Sequence, residues 1–140
     1  MTLILDAAPV VAIADTSEPL RDRILELMRA NAGALVIPAP VTAEIDYLLG
    51  SRFGRSARSA FLRDLATGRF AVAGLERQDY RAVGELEQRY ADLELGLADC
   101  AVVALAQRLD TKRIVSFDER HFRAVTPLQG GAFEILPADN

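Results

Sequence analysis

The sequence predicts an α/β fold in which a short, mostly parallel sheet lies between two layers of helices. Short, continuously apolar segments alternate with longer helical ones along the chain, which is typical of a parallel sheet covered on both faces. The length of 140 residues is enough for one compact domain and too short for two. A hydrophobic fraction of 51% is sufficient to form a core. We therefore expect residues 1–140 to form a single three-layer α/β/α domain.

The first quarter of the chain contains two of the predicted strands. Leu3–Leu5 is a short apolar strand, and the small apolar residues 7–14 indicate a short buried helix. Ser17 is a suitable N-cap for a helix that continues to about residue 32. Residues 34–37 form the second apolar segment, which we interpret as the next strand.

The middle of the chain is mostly helical. Residues 41–53 and 56–67 carry apolar side chains at helical spacing, with the breaker Gly54 between them. A third strand is predicted at 70–73, and another helix at 78–89. This order of strand, helices and strand is again that of a parallel sheet.

The last third contains the most apolar helix of the chain. Residues 97–109 are apolar on nearly every face, which predicts a buried helix. A fourth strand is expected at 113–116 and a short helix at 119–123, while 133–136 has the character of an edge strand.

Charge and composition exclude several classes of protein. The net charge is −4, so any binding of nucleic acid must depend on a local basic patch or on bound cations. The single histidine, His121, excludes a zinc site of the two-His type, and we expect it to be a surface or structural residue. The single cysteine, Cys100, cannot form an internal disulfide.

The expected location is a reducing cytoplasm, because nothing in the sequence indicates export or membrane insertion. The first residues lack the basic segment of a signal peptide. No apolar run reaches the roughly 18 residues of a membrane span.

Four acidic residues occur where a ligand site of an open α/β sheet is expected. Asp6 ends the first strand, Asp118 follows the fourth, Glu44 lies early in the helix after the second strand, and Asp99 begins the buried helix. The carboxyl ends of parallel strands meet at one edge, so these side chains can converge. Since clustered carboxylates repel one another, a divalent cation is the expected partner, and hard oxygen ligands favour Mg²⁺ or Mn²⁺. Such a metal site predicts hydrolysis of a phosphodiester by activated water.

Each of these acids also has a plain structural interpretation. Asp6 could end a strand, Asp118 could cap the following helix, and Glu44 could be a solvated acid in a first helical turn. Asp99 is harder to explain in this way, because an unpartnered carboxylate inside an apolar helix is costly. Among other acids, Asp92 is a candidate to support the site, or a loop residue.

Arginines cluster directly after the helix that carries Glu44. Their guanidinium groups could hold RNA phosphates near the acidic site, or they could simply cover a solvated helical face. The candidates for RNA binding are Arg52, Arg55 and Arg58, with Arg63 in the same cluster.

Taken together, four segments resemble PIN-domain ribonucleases and, more narrowly, the VapC toxins of bacterial toxin–antitoxin modules. They carry the four acids in the order and at the spacing of that family, and their ranges are 3–6, 41–49, 95–101 and 114–122. One departure is that Ala7 and Ala8 stand where the family usually has a hydroxyl residue after the first acid. Ser116, by contrast, matches a small hydroxyl position of the family, and we expect it to support the site.

The resemblance implies a PIN-like fold and endonucleolytic cleavage of RNA that depends on Mg²⁺ or Mn²⁺. Asp6, Glu44, Asp99 and Asp118 would then be the catalytic and metal-binding residues. It also implies a VapB-type antitoxin that covers the active-site groove, and a homodimer that forms a heterotetramer or larger assembly with it. By analogy the substrate is a structured RNA such as tRNA.

Two alternatives belong to other classes. A receiver-like signalling domain also gathers acids around Mg²⁺, but it needs a lysine late in the chain, and Lys112 precedes its strand. A haloacid-type phosphatase needs a second aspartate two residues after the first, where this chain has Ala8. A catalytically inactive PIN-like binding domain stays open.

Overall fold

The computed structural model describes residues 1–139. In that range it contains five β-strands, seven α-helices and one 3-10 turn, Ala91–Leu93. The strands are β1 (Leu3–Leu5), β2 (Leu35–Pro38), β3 (Ala71–Ala73), β4 (Arg113–Val115) and β5 (Glu134–Leu136). The helices are α1 (Ala7–Ala12), α2 (Arg21–Ala30), α3 (Ala39–Phe53), α4 (Arg55–Thr67), α5 (Arg77–Arg89), α6 (Leu97–Arg108) and α7 (Glu119–Ala124).

The strands form one sheet in the order β3-β2-β1-β4-β5, and every neighbouring pair is parallel. In the central strand, Ile4 lies opposite Val36 on one side and Ile114 on the other. The predicted α/β class is therefore confirmed. Because all five strands run the same way, their carboxyl ends lie at one edge of the sheet.

The sheet separates two hydrophobic cores, as expected for three layers. Successive side chains of a strand point to opposite faces, so Leu3 and Leu5 pack with α1 to α4, whereas Ile4 packs with α5, α6 and α7. Helix α6 is buried almost throughout, and Cys100 lies in its core with no exposed surface. The buried residues of α6 run from Cys100 to Ala106, so the helix is packed against the sheet directly after its first turn.

Helix α5 is connected to α6 by a buried ion pair. Asp79 is 3% exposed and accepts hydrogen bonds from Arg108 Nε at 3.0 and 3.3 Å. It also accepts the backbone N–H of Glu76 at 2.8 Å, completing a capping box at the start of α5.

The start of α2 differs from the sequence-based prediction. The helix begins at Arg21, and Ser17 does not cap it. The Ser17 hydroxyl instead donates to Asp15 Oδ1 at 2.6 Å, because a short polar side chain in a turn bonds locally as readily as it caps a helix. No helix within residues 1–139 has the length and apolar character needed to cross a bilayer.

Candidate active site

The structure brings the four predicted acids to one pocket at the carboxyl edge of the sheet. Asp6 directly follows β1 and caps α1, while Asp118 lies three residues after β4 and caps α7. Glu44 comes from α3 and Asp99 from the first turn of α6. All four line a pocket of about 520 Å³, together with Ala7, Ala8 and Phe117.

A chain of hydrogen bonds connects two of these acids through Ser116. The buried Ser116 hydroxyl donates to Asp6 Oδ2 at 2.8 Å and accepts the backbone N–H of Asp118 at 2.9 Å. Asp6 Oδ1 accepts the backbone N–H of Ala7 at 2.9 Å. Both oxygens of Asp6 therefore have a donor, although Ala7 and Ala8 supply no hydroxyl.

Asp99 is held among other negative charges. Its side chain is 23% exposed. Burial raises the pKa of Asp99 to about 6, with further contributions from the nearby charges of Asp6, Asp118 and Glu44. Burial also raises the pKa of Asp6, against the effect of its hydrogen bonds to Ser116 and Ala7. The folded chain thus concentrates negative charge that it does not neutralise itself.

His121 is part of this site, and the sequence-based interpretation of it as a surface or structural residue missed that. Its Nδ1 lies 2.7 Å from Asp118 Oδ2 and 3.7 Å from Asp99 Oδ2. The signal available in the sequence was the spacing, since residues i and i+3 share a helical face and His121 is three residues after Asp118.

The remaining sequence-predicted residues lie elsewhere. Asp92 is exposed in the 3-10 turn and lines a different depression, with Tyr90 and Ala124. Arg58 donates to Asp46 Oδ1 at 2.7 Å, so it is already paired. Arg52 and Arg55 are exposed near the junction of α3 and α4 and do not line the acidic pocket.

The donor set fits a divalent cation. Carboxylate oxygens of Asp99 and Asp118 and a ring nitrogen of His121 lie within 4.8 Å of one another, and the carboxylates of Asp6 and Glu44 line the same pocket. Oxygen-rich sites of this composition suit Mg²⁺ or Mn²⁺. Burial and the neighbouring carboxylates raise the pKa of Asp99, and a cation bound at this point would favour its ionised form.

Comparison with known proteins identifies the family. The family model of the PIN domain matches residues 3–126. Ribonuclease VapC26 of Mycobacterium tuberculosis (strain ATCC 25618 / H37Rv) is 36% identical over 135 residues, which cover 96% of this chain and all of that protein. The chain therefore belongs to the PIN-domain family. Within that family its relatives are VapC toxins, as the sequence motifs predicted.

Solved structures share the fold. VapC20 of Mycobacterium tuberculosis, described as a sarcin–ricin-loop-cleaving toxin, matches with a TM-score of 0.76 at 16% identity, over 85% of this chain and 92% of its own. VapBC2 of Rickettsia felis, solved with a DNA fragment from its promoter, gives a TM-score of 0.70 at 18% identity, over 96% and 98% of the two chains. The predicted PIN-like fold is thereby confirmed.

Proposed function

We propose that the chain is a divalent-metal-dependent endoribonuclease and the toxin of a type II toxin–antitoxin module. The observation that carries the proposal is the convergence of Asp6, Glu44, Asp99 and Asp118 from four elements on one pocket, where the pKa of Asp99 rises to about 6. Membership of the PIN-domain family and the likeness to a ribonuclease support the same activity.

The residues of the pocket have different parts in this proposal. Asp6, Asp99 and Asp118 would hold Mg²⁺ or Mn²⁺, and Ser116 connects Asp6 with Asp118 through its two hydrogen bonds. The bound cation would polarise the phosphodiester and lower the pKa of an attacking water. Glu44 is exposed, so its carboxylate can orient a water molecule that enters the pocket and accept its proton.

We propose a structured RNA as substrate, because VapC20 is described as cleaving the sarcin–ricin loop. Tests should therefore use both tRNA and an oligonucleotide with the sarcin–ricin-loop sequence. Within residues 1–139, Arg52 and Arg55 are exposed and without an ion pair, whereas Arg58, the third residue of the predicted RNA-binding set, is paired with Asp46. Their phosphate contacts would weaken as salt rises.

The test compares cleavage of these RNAs with Mg²⁺, with Mn²⁺ and with excess chelator. We expect cleavage only when a metal is present. In Asp99→Asn we expect the cleavage rate to fall by at least about 100-fold, which is more than the loss expected from changing a residue that only hydrogen-bonds to a metal ligand. Asp110→Asn is a matched control. It removes the same charge from an exposed position after the far end of α6, where the positive φ of 52° suits asparagine. Cleavage by Asp99→Asn at the wild-type rate would contradict the proposal.

A VapB-type antitoxin is the proposed partner, as in the structurally similar VapBC2 complex. The acidic pocket would attract an arginine side chain of such a partner, in competition with the metal. A homodimeric toxin, forming a heterotetramer or larger complex with the antitoxin, is the assembly we expect. Light scattering of the toxin alone and of the co-expressed pair measures both states.

The alternative is a catalytically inactive PIN-like binding domain. It predicts normal divalent-cation binding with no turnover of either RNA under any metal condition. The two candidates are therefore separated by measuring binding and cleavage on the same preparation.

A further inference from the structure

We propose that His121 is a positioning residue that orients the Asp118 carboxylate toward the cation it shares with Asp99. This inference rests on the metal site of the proposed function, and it adds a role for His121 at that site. His121 does not touch the substrate or the cation in this assignment. It acts through Asp118.

The contacts of Asp118 carry the proposal. Its Oδ1 accepts the backbone N–H of His121 at 3.1 Å, and its Oδ2 lies 2.7 Å from His121 Nδ1. One residue therefore holds both oxygens of the carboxylate. With the backbone N–H of Asp118 bonded to Ser116 Oγ at 2.9 Å, both the main chain and the side chain of Asp118 are fixed.

The contact of the imidazole ring goes beyond what capping of α7 requires. An N-cap needs one side-chain oxygen bonded to a backbone N–H two or three positions later, and Oδ1 satisfies that need. The ring adds a second bond, to the other oxygen. The ring is 23% exposed, whereas its neighbours Glu119 and Arg120 are exposed residues.

The geometry also separates positioning from direct ligation. An ionised carboxylate only accepts hydrogen bonds, so a 2.7 Å contact with Asp118 requires a proton on Nδ1 of His121. Nδ1 is the ring nitrogen that faces both Asp118 and Asp99, and when protonated it has no lone pair to offer a cation held by those two carboxylates. Outer-shell donors of this kind set the direction of a ligand. At 3.7 Å from Asp99 Oδ2, the same N–H also lies next to the second carboxylate of the site.

The experiment measures cation affinity in the absence of RNA. Free Mn²⁺ is followed by electron paramagnetic resonance, and Mg²⁺ by its displacement of bound Mn²⁺. The variants are His121→Leu, which has no donor, His121→Asn, whose amide nitrogen occupies the Nδ1 position, and His121→Gln, whose amide nitrogen corresponds to Nε2. Gln107→Leu is the control for polar-to-apolar change, because Gln107 is exposed near the opposite end of α6 from Asp99.

We expect His121→Leu and His121→Gln to weaken binding of Mn²⁺ and Mg²⁺ by a similar factor, about 10-fold. We expect His121→Asn to recover most of the affinity for both ions, and Gln107→Leu to bind as wild type. Unchanged affinity in His121→Leu would overturn the proposal. So would a loss confined to Mn²⁺, which indicates a direct imidazole ligand, or a His121→Asn variant as weak as His121→Leu.

Folding and function are controlled separately. Circular dichroism and thermal unfolding in chelator show whether each variant is folded. If His121→Leu is not folded, the cation affinities of His121→Asn and His121→Gln are compared instead, and equal affinities would overturn the proposal. If wild type binds cations in a His121-dependent way but cleaves no RNA, the nuclease proposal fails and the positioning role stands. Metal-dependent cleavage with His121-independent affinity overturns the positioning role alone.

Discussion

Asp79 and Asp99 are two largely buried carboxylates on the neighbouring helices α5 and α6, and they differ in how their negative charge is compensated. Asp79 is paired with Arg108 at 3.0 Å and accepts a backbone N–H. Asp99 faces the acids Asp6, Asp118 and Glu44, and its ion-pair contact within residues 1–139 is the 3.7 Å approach of His121. A buried charge needs compensation. Asp79 is compensated by Arg108, whereas in the proposed function Asp99 is compensated by a bound cation.

The largest expected difference is in stability without metal. Asp79→Asn leaves Arg108 without its carboxylate, and we expect the free energy of unfolding to fall by about 2 kcal/mol, less than for a fully buried pair because Arg108 is 26% exposed. Asp99→Asn removes repulsion, so at pH 7.5 its stability should equal or exceed that of wild type. Urea unfolding of both variants in chelator measures this. A greater loss in Asp99→Asn than in Asp79→Asn would refute the comparison.

The second prediction concerns pH. The pKa of Asp99 is about 6 in the folded protein and near 3.8 in the unfolded chain, so the folded state binds the proton more tightly. Protonation of Asp99 therefore stabilises the folded state. This contribution to the free energy of unfolding is fully present below about pH 3.8 and is lost as the pH rises through about 6. Without metal, wild type should therefore gain on the order of 1 kcal/mol relative to Asp99→Asn between pH 7.5 and pH 5. Parallel stability curves for the two proteins would contradict the raised pKa.

The third prediction uses the cation itself. A ligand that binds only the native state stabilises it in proportion to the logarithm of its concentration, about 1.4 kcal/mol at ten times its dissociation constant. We expect Mg²⁺ or Mn²⁺ to raise the Tm of wild type and of Asp79→Asn, and to leave Asp99→Asn nearly unchanged. Equal shifts in all three proteins would mean that the ions bind elsewhere.

The smallest expected effect is at a solvated ion pair. Arg58 is 52% exposed where it contacts Asp46, and exposed pairs contribute less than about 1 kcal/mol. Arg58→Gln should therefore change stability very little in thermal unfolding. A loss comparable to that of Asp79→Asn would show that exposure is a poor guide to the strength of these pairs.

Some residues of the site could be predicted from the sequence, and others could not. Asp6 and Asp118 follow apolar strands, and α6 is apolar on all faces, so the approach of the acids was predictable from local patterns and parallel topology. Ser116 was predictable only through the family motif. The pairing of Arg58 with Asp46 was not, because it depends on how α3 and α4 pack against each other.

His121 illustrates the same limit. Its spacing from Asp118 was visible, but spacing alone does not determine whether the imidazole ring is exposed or contacts the acid. The ring direction depends on tertiary packing, which brings His121 Nδ1 within 3.7 Å of Asp99 Oδ2 on α6. The start of α2 was misplaced for a related reason, because Asp15 competes with the helix for Ser17.

By itself, the sequence determined the order and type of the main elements, the parallel sheet, the family and the four acids that line one pocket. These follow from hydrophobic periodicity and motif spacing, which are local properties of the chain. Only the tertiary structure decided which acids are compensated, how the carboxylates are oriented and that Arg58 pairs with Asp46. Those outcomes depend on burial and on contacts between residues far apart in sequence, such as Asp6 with Ser116, and burial is a property of the packed molecule as a whole.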